Sequence, residues 1–227
     1  MRNSHHAQIL RIRDELRRAG YCFVADLAPW LTTLALCKLI GEPIKLGEGS
    51  PVHQLTAKTT NASRNSYSGI YGLGRFPMHT DMAQWQVPPR FLMLRCVRGA
   101  PDVATLLRDS RPIVSKLGTS ALHRALVRPR RPLRGKVQLL HLLESSQESD
   151  GLFRWDQTFL EPATAASKEI FAQVRIELDA EADVAIRLEN AADTLVFDNW
   201  RMIHARGPVT LTSTERTVDR VYLGTLQ

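Results

Sequence analysis

The chain has 227 residues, 44% of them hydrophobic, which fits one globular domain with a sizeable core and excludes disorder. No apolar run is long enough to cross a bilayer, and the Arg- and His-studded stretch Met1 to Arg18 has no apolar core of a secretory signal. A net charge of +7 raises the question of an anionic partner, while three scattered cysteines, Cys22, Cys37 and Cys96, fit buried free thiols in a reducing compartment rather than a disulfide framework or a zinc ribbon. The expectation is a soluble cytoplasmic protein.

Helical spacing of Ile9, Leu10, Ile12 and Leu16 predicts a helix over Ser4 to Arg18, stopped by Gly20 and followed by a strand, Tyr21 to Val24. A second helix is expected over Ala28 to Ile40, so residues 1–45 read as N-terminal helices and a strand. Short apolar runs between turn residues predict strands at Asn65 to Tyr71, Phe91 to Val97 and Ala104 to Leu107. The basic stretch His123 to Lys136 reads as a solvated loop. It lacks aromatics on which bases could stack, which argues against nucleic acid. A short strand at Phe153 to Trp155 and a helix over Pro162 to Glu177, begun by Pro162, come next. Strands at Val184 to Leu188, Thr194 to Phe197 and Thr217 to Leu223 close the chain. Many short strands with few, peripheral helices suggest a mainly-β fold of the double-sheet jelly-roll kind, a double-stranded β-helix.

Chemistry concentrates in two places. His79 and Asp81 stand two residues apart, so on a β-strand both side chains would leave one face. A third ligand from a distant strand, His204, would complete two imidazoles and one carboxylate, a set that leaves coordination positions open and suits non-haem Fe(II) better than closed tetrahedral zinc. Twelve and sixteen residues after His204 come Arg216 and Arg220, which share one strand face with Val218 and Tyr222. Two cations on one face call for carboxylates, and a pocket for a dicarboxylate beside the metal answers them.

The run Phe76-Pro77-Met78-His79-Thr80-Asp81, the run Asp198-Asn199-Trp200-Arg201-Met202-Ile203-His204-Ala205-Arg206 and the Arg216/Arg220 pair together resemble the TauD/TfdA superfamily of Fe(II)- and 2-oxoglutarate-dependent dioxygenases. The Asp-Asn-Trp-Arg segment is similar to the branch holding γ-butyrobetaine and trimethyllysine hydroxylases. The resemblance implies that His79, Asp81 and His204 hold Fe(II), and that Arg216 and Thr105 bind the distal carboxylate of 2-oxoglutarate. Arg220 would lie near its other carboxylate or near an anionic group of the substrate. It further implies oxidative decarboxylation of 2-oxoglutarate by O2, coupled to hydroxylation, desaturation or ring closure at an unactivated C–H bond of a small molecule. An anionic or zwitterionic, amino-acid-like substrate fits Arg220, with Tyr67, Ser68 and Trp85 as candidate contacts and Gln54 and Asn65 as further polar neighbours. The chain is short for the family, which points to a trimmed lid or insert over residues 110–162; a homo-oligomer is compatible with this reading. Two alternatives stay open: an AlkB-like oxidative demethylase of nucleic acid, and a non-catalytic metal-binding jelly roll.

Overall fold

The computed structural model describes residues 2–57, 66–132, 135–145, 151–179 and 184–227. Helix α1 (Arg2–Ala19) ends at Gly20, whose φ of 81° turns the chain into β1 (Tyr21–Val24). A Cβ at Gly20 would meet the Met202 side chain and stand in a left-handed backbone, so glycine is required there. Next come α2 (Thr33–Ile40), β2 (Gly41–Ile44), β3 (His53–Thr56), α3 (Tyr67–Tyr71), β4 (Phe91–Arg98) and β5 (Ala104–Asp109). The outer segment follows as α4 (Arg111–Leu117), α5 (Thr119–Arg124), β6 (Leu126–Pro129), β7 (Leu140–His141), β8 (Leu143–Glu144), β9 (Leu152–Phe153), β10 (Leu160–Pro162) and α6 (Ala165–Asp179). The last strands are β11 (Val184–Arg187), β12 (Thr194–Asp198), β13 (Met202–Arg206) and β14 (Thr217–Leu226).

The fold is mainly β, and the strand pairings among the described residues are antiparallel. The larger sheet runs β1-β12-β4-β14-β2, with β3 also on β14; a second sheet runs β11-β5-β13. Strand alternation then builds the layers. Phe91 and Met93 of β4, with Val221 and Leu223 of β14, face Ile12, Leu16, Leu36 and Ile40 of α1 and α2. The intervening Leu92, Leu94 and Tyr222 turn inward and meet Leu107 of the second sheet. Burial on both faces explains why β4 and β12 read as near-continuous apolar runs. On the far side of the second sheet, Ile203 and Ala205 of β13 pack against α4, α5, α6 and the small sheet β10-β6-β7. The described part of residues 110–162 is thus largely a packed outer layer. No helix among the described residues is long and apolar enough to cross a membrane.

Four expectations need correction. Tyr67–Tyr71 is a helix, not a strand, because Ser66 caps it by accepting from Gly69 N. The second helix begins at Thr33 rather than Ala28, since Ala28 has a φ of 44° and Thr32 provides the cap. Pro162 ends β10; α6 starts three residues later, with Thr164 Oγ1 accepting from Ser167 N. The basic stretch contains β6, and Arg128 and Arg130 both reach Glu161 across to β10, at 2.9 and 3.2 Å. Asn65 lies outside the described residues. Cys22, Cys37 and Cys96 are buried free thiols.

Candidate metal centre and its cavity

His204 sits on β13 with its side chain between the two main sheets. His79 is not on a strand but in a one-residue bridge: its N–H donates to His204 O and its own carbonyl accepts from His204 N, both at 2.8 Å. The two histidines are therefore cross-strand neighbours across 125 residues of chain, and their rings lie 4.4 Å apart. Asp81 follows in a turn, next to Met82 at a φ of 57°. Its backbone is clamped by the buried Asn199 side chain, whose Oδ1 accepts from Asp81 N at 2.7 Å and whose Nδ2 donates to Asp81 O and Pro89 O. That clamp gives the Asp198-Asn199-Trp200-Arg201 run its first role. Arg201 supplies the second, gripping Asp109 and the carbonyls of Arg17 and Arg18.

The three side chains converge. Asp81 Oδ1 lies 3.4 Å from His79 Nε2 and 3.6 Å from His204 Nε2, and all three ligand atoms fall within 4.8 Å of one another. The second oxygen, Oδ2, accepts from the Tyr222 hydroxyl at 2.7 Å and from Arg220 Nη1 at 3.2 Å. His79 Nδ1 is 2.9 Å from Pro77 O, which holds the ring with Nε2 toward the carboxylate. Burial opposes the ionised Asp81 carboxylate, but Arg220, His204 and His79 outweigh it and hold the group well below the ordinary range. Burial, and then His79, lower His204, favouring the neutral imidazole that a metal needs. One carboxylate oxygen facing two imidazole nitrogens, with the other tied back by two donors, is a donor set that fits a divalent metal with open positions.

A cavity of about 360 Å³ opens on this centre. It brings together His79, Asp81, His204, Thr105, Arg216, Arg220, Tyr67 and Ser68. Strand register explains the less obvious members: Thr105 of β5 pairs with Arg206 of β13, two residues along from His204. Arg216 Nε is buried without a partner among the described residues. Nearby Arg206 stacks on Phe76, 3.7 Å from the ring centroid, and donates to the carbonyls of Gly72 and Gly74. Burial, and then Arg216, pull Arg206 down to about 10. Two arginines that repel one another in a half-buried wall make a place for an anion.

Trp85 is not part of this wall. It lines a separate cavity with Pro88, Arg90 and Trp200, and its carbonyl accepts from Arg154. Gln54 is exposed on β3, whereas its neighbours Leu55 and Thr56 reach the cavity. Asp156 and Phe159, which sequence reasoning missed, line the cavity because Asp156 bridges to His79. Nothing local in the sequence marks that bridge. Tyr222 was visible as a same-face neighbour of Arg220, but its bond to Asp81 was not.

No family model matches the chain. Solved structures do. Asparagine oxygenase, in complex with Fe(II), 2S,3S-3-hydroxyasparagine and succinate, is similar with a TM-score of 0.72 at 21% identity, over 99% of this chain and 82% of that one. PvcB, an Fe, α-ketoglutarate-dependent oxygenase from an isonitrile synthetic pathway, gives 0.69 at 19% identity, over 95% and 79%. A taurine dioxygenase from Burkholderia xenovorans gives 0.70 at 18% identity, over 97% and 85%. The fold of this chain is therefore the one carried by these oxygenases.

Proposed function

We propose that this chain is an Fe(II)- and 2-oxoglutarate-dependent dioxygenase that hydroxylates, or desaturates or cyclises, an unactivated C–H bond of a small amino-acid-like molecule. The observation that carries the reading is the buried His79-Asp81-His204 cluster opening on a cavity whose wall holds Arg216 with an unanswered buried Nε. The neighbours support it: asparagine oxygenase, with its hydroxyasparagine complex, and taurine dioxygenase act on small molecules of this kind. In this reading the two main sheets form the faces of a double-stranded β-helix, and residues 1–227 make one catalytic domain.

His79, Asp81 and His204 would hold the iron, leaving positions for 2-oxoglutarate and O2. Iron in this setting supplies O2 activation coupled to decarboxylation of 2-oxoglutarate to succinate. The protein's own part is positional. Tyr222 and Arg220 turn Asp81 so that one oxygen faces the metal position. Arg216, with Thr105 on the facing sheet, takes the distal carboxylate of 2-oxoglutarate. Leu92, Leu94 and Val218 keep the reacting region dry.

Anaerobic titration with Fe(II) and then 2-oxoglutarate tests this directly. The expected result is a weak visible charge-transfer band in the wild type that is absent from H79A, D81A and H204A. Iron bound with no band on adding 2-oxoglutarate would turn the reading toward a non-catalytic metal-binding protein.

A further inference from the structure

The charges in the cavity are unevenly answered. Asp81 faces two histidines, Arg220 and Tyr222. Asp156 lines the same cavity at 2% exposure, and no cation among the described residues pairs with it. Its Oδ1 accepts from Thr158 N and Phe159 N, at 2.8 and 2.9 Å, closing the turn after Trp155. That leaves Oδ2 without an ion-pair partner among the described residues, with the His79 ring and the Tyr67 hydroxyl as its polar neighbours. The buried Tyr67 hydroxyl, which meets no partner at full hydrogen-bond geometry among the described residues, lies beside this carboxylate, and burial and Asp156 both raise it. The Tyr67 ring stacks on His79 at 4.2 Å and meets Phe159 edge-on at 5.1 Å. A buried carboxylate with no ion pair among the described residues, a buried phenol and two aromatic rings therefore stand together beside His79.

A buried carboxylate is costly unless a cation answers it. No cation among the described residues does so at ion-pair distance, while the same cavity holds arginines for anions. We infer that Asp156, with the Tyr67 hydroxyl, receives the ammonium group of an amino-acid substrate, so that the substrate binds as a zwitterion. The ammonium donates to Asp156 Oδ2 and to Tyr67 Oη, with the aromatic rings adding attraction for the cation. This rests on the oxygenase reading above and assigns the cationic half of the substrate to a place in the site.

The test is a preference ratio. Wild type loaded with Fe(II) and 2-oxoglutarate is screened for accelerated succinate release with the twenty L-amino acids, and with the 2-hydroxy acid matching each active one. Wild type should favour the amino acid by at least about thirtyfold in kcat/KM, the size expected when a charged pair loses one partner. In Asp156→Asn, which keeps an oxygen for the two turn amides, that ratio should collapse toward one, with the change carried by KM. Tyr67→Phe, which keeps the ring, should lower the same ratio by a smaller factor. A purely structural role for Asp156 would depress both compounds alike and leave the ratio intact, overturning the subsite. So would a wild type that accepts hydroxy acids as readily, or a screen in which no ammonium-bearing compound accelerates release. Absence of the charge-transfer band in wild type would instead sink the oxygenase reading.

Discussion

Asp81 divides its two oxygens between two tasks. Oδ2 is tied back by Tyr222 and Arg220, so Oδ1 alone meets the imidazoles. Tyr222→Phe removes one tie while keeping the ring in the core. Partners of this kind are worth about 10–100-fold in metal affinity, and that loss is expected in a chelator-competition titration with Fe(II), with thermal stability little changed. Unaltered affinity would mean that Arg220 alone orients the carboxylate. Arg216→Ala should weaken 2-oxoglutarate by about 2–5 kcal/mol while leaving Fe(II) binding intact, read from the titration midpoint of the charge-transfer band. At this scale the sequence was informative where residue type and spacing sufficed. His79, Asp81, His204 and Arg216 carry ligand chemistry in their side chains and reach one cavity. Asp156 was invisible because its importance comes from a bridge to His79, 77 residues away. Trp85 lines a separate cavity because proximity in sequence to Asp81 does not survive the turn at Met82.

Elements are joined to the centre by the residues around His204. Arg201, just before β13, grips Asp109 at the end of β5 and the last carbonyls of α1. Burial raises the Asp109 carboxyl, but Arg201 and then Arg111 outweigh it, so its pKa is lowered in the folded protein. The sign follows: the unfolded chain takes up the proton first, so the pair stabilises above the ordinary Asp value near 3.9 and that contribution is lost as pH falls below it. Asp109→Asn should therefore lower stability by about 1–3 kcal/mol at neutral pH, with the gap to wild type narrowing below about pH 4 in denaturant unfolding. A gap constant with pH would assign the effect to packing. Strands were legible wherever both faces are buried, as in β4 and β12, or where apolar residues alternate, as in β14. Helix α3 was not, because Tyr67, Ile70 and Tyr71 have strand propensity and only the Ser66 cap overrides it.

Across the whole molecule, the turn that carries Asp81 has to be held against the outer layer, and Arg154 does this. Its side chain is fully buried. It donates to the carbonyls of Ala83, Trp85 and Gln86 in the loop after Asp81, to His141 O on β7, and to Glu144 on β8 at 2.7 Å. One guanidinium thus fastens the Asp81 loop to the layer built from residues 110–162, which explains how a peripheral segment shapes the centre. Arg154→Met keeps the apolar stem but leaves four carbonyls and a carboxylate without their donor. Removing one partner of a buried ionic network costs about 3–5 kcal/mol. In a chain of this length that corresponds to a fall in Tm of roughly 6–20 °C, measurable by far-UV circular dichroism on the metal-free protein. Because the loop begins at Asp81, a proposed iron ligand, the loss should not stop at stability. Saturating Fe(II) should raise the Tm of Arg154→Met by less than it raises wild type, since the loosened Asp81 turn must be reordered when the metal binds. An equal metal-induced rise in the two proteins would mean that the Asn199 clamp alone fixes Asp81, and that Arg154 serves only to join the layers.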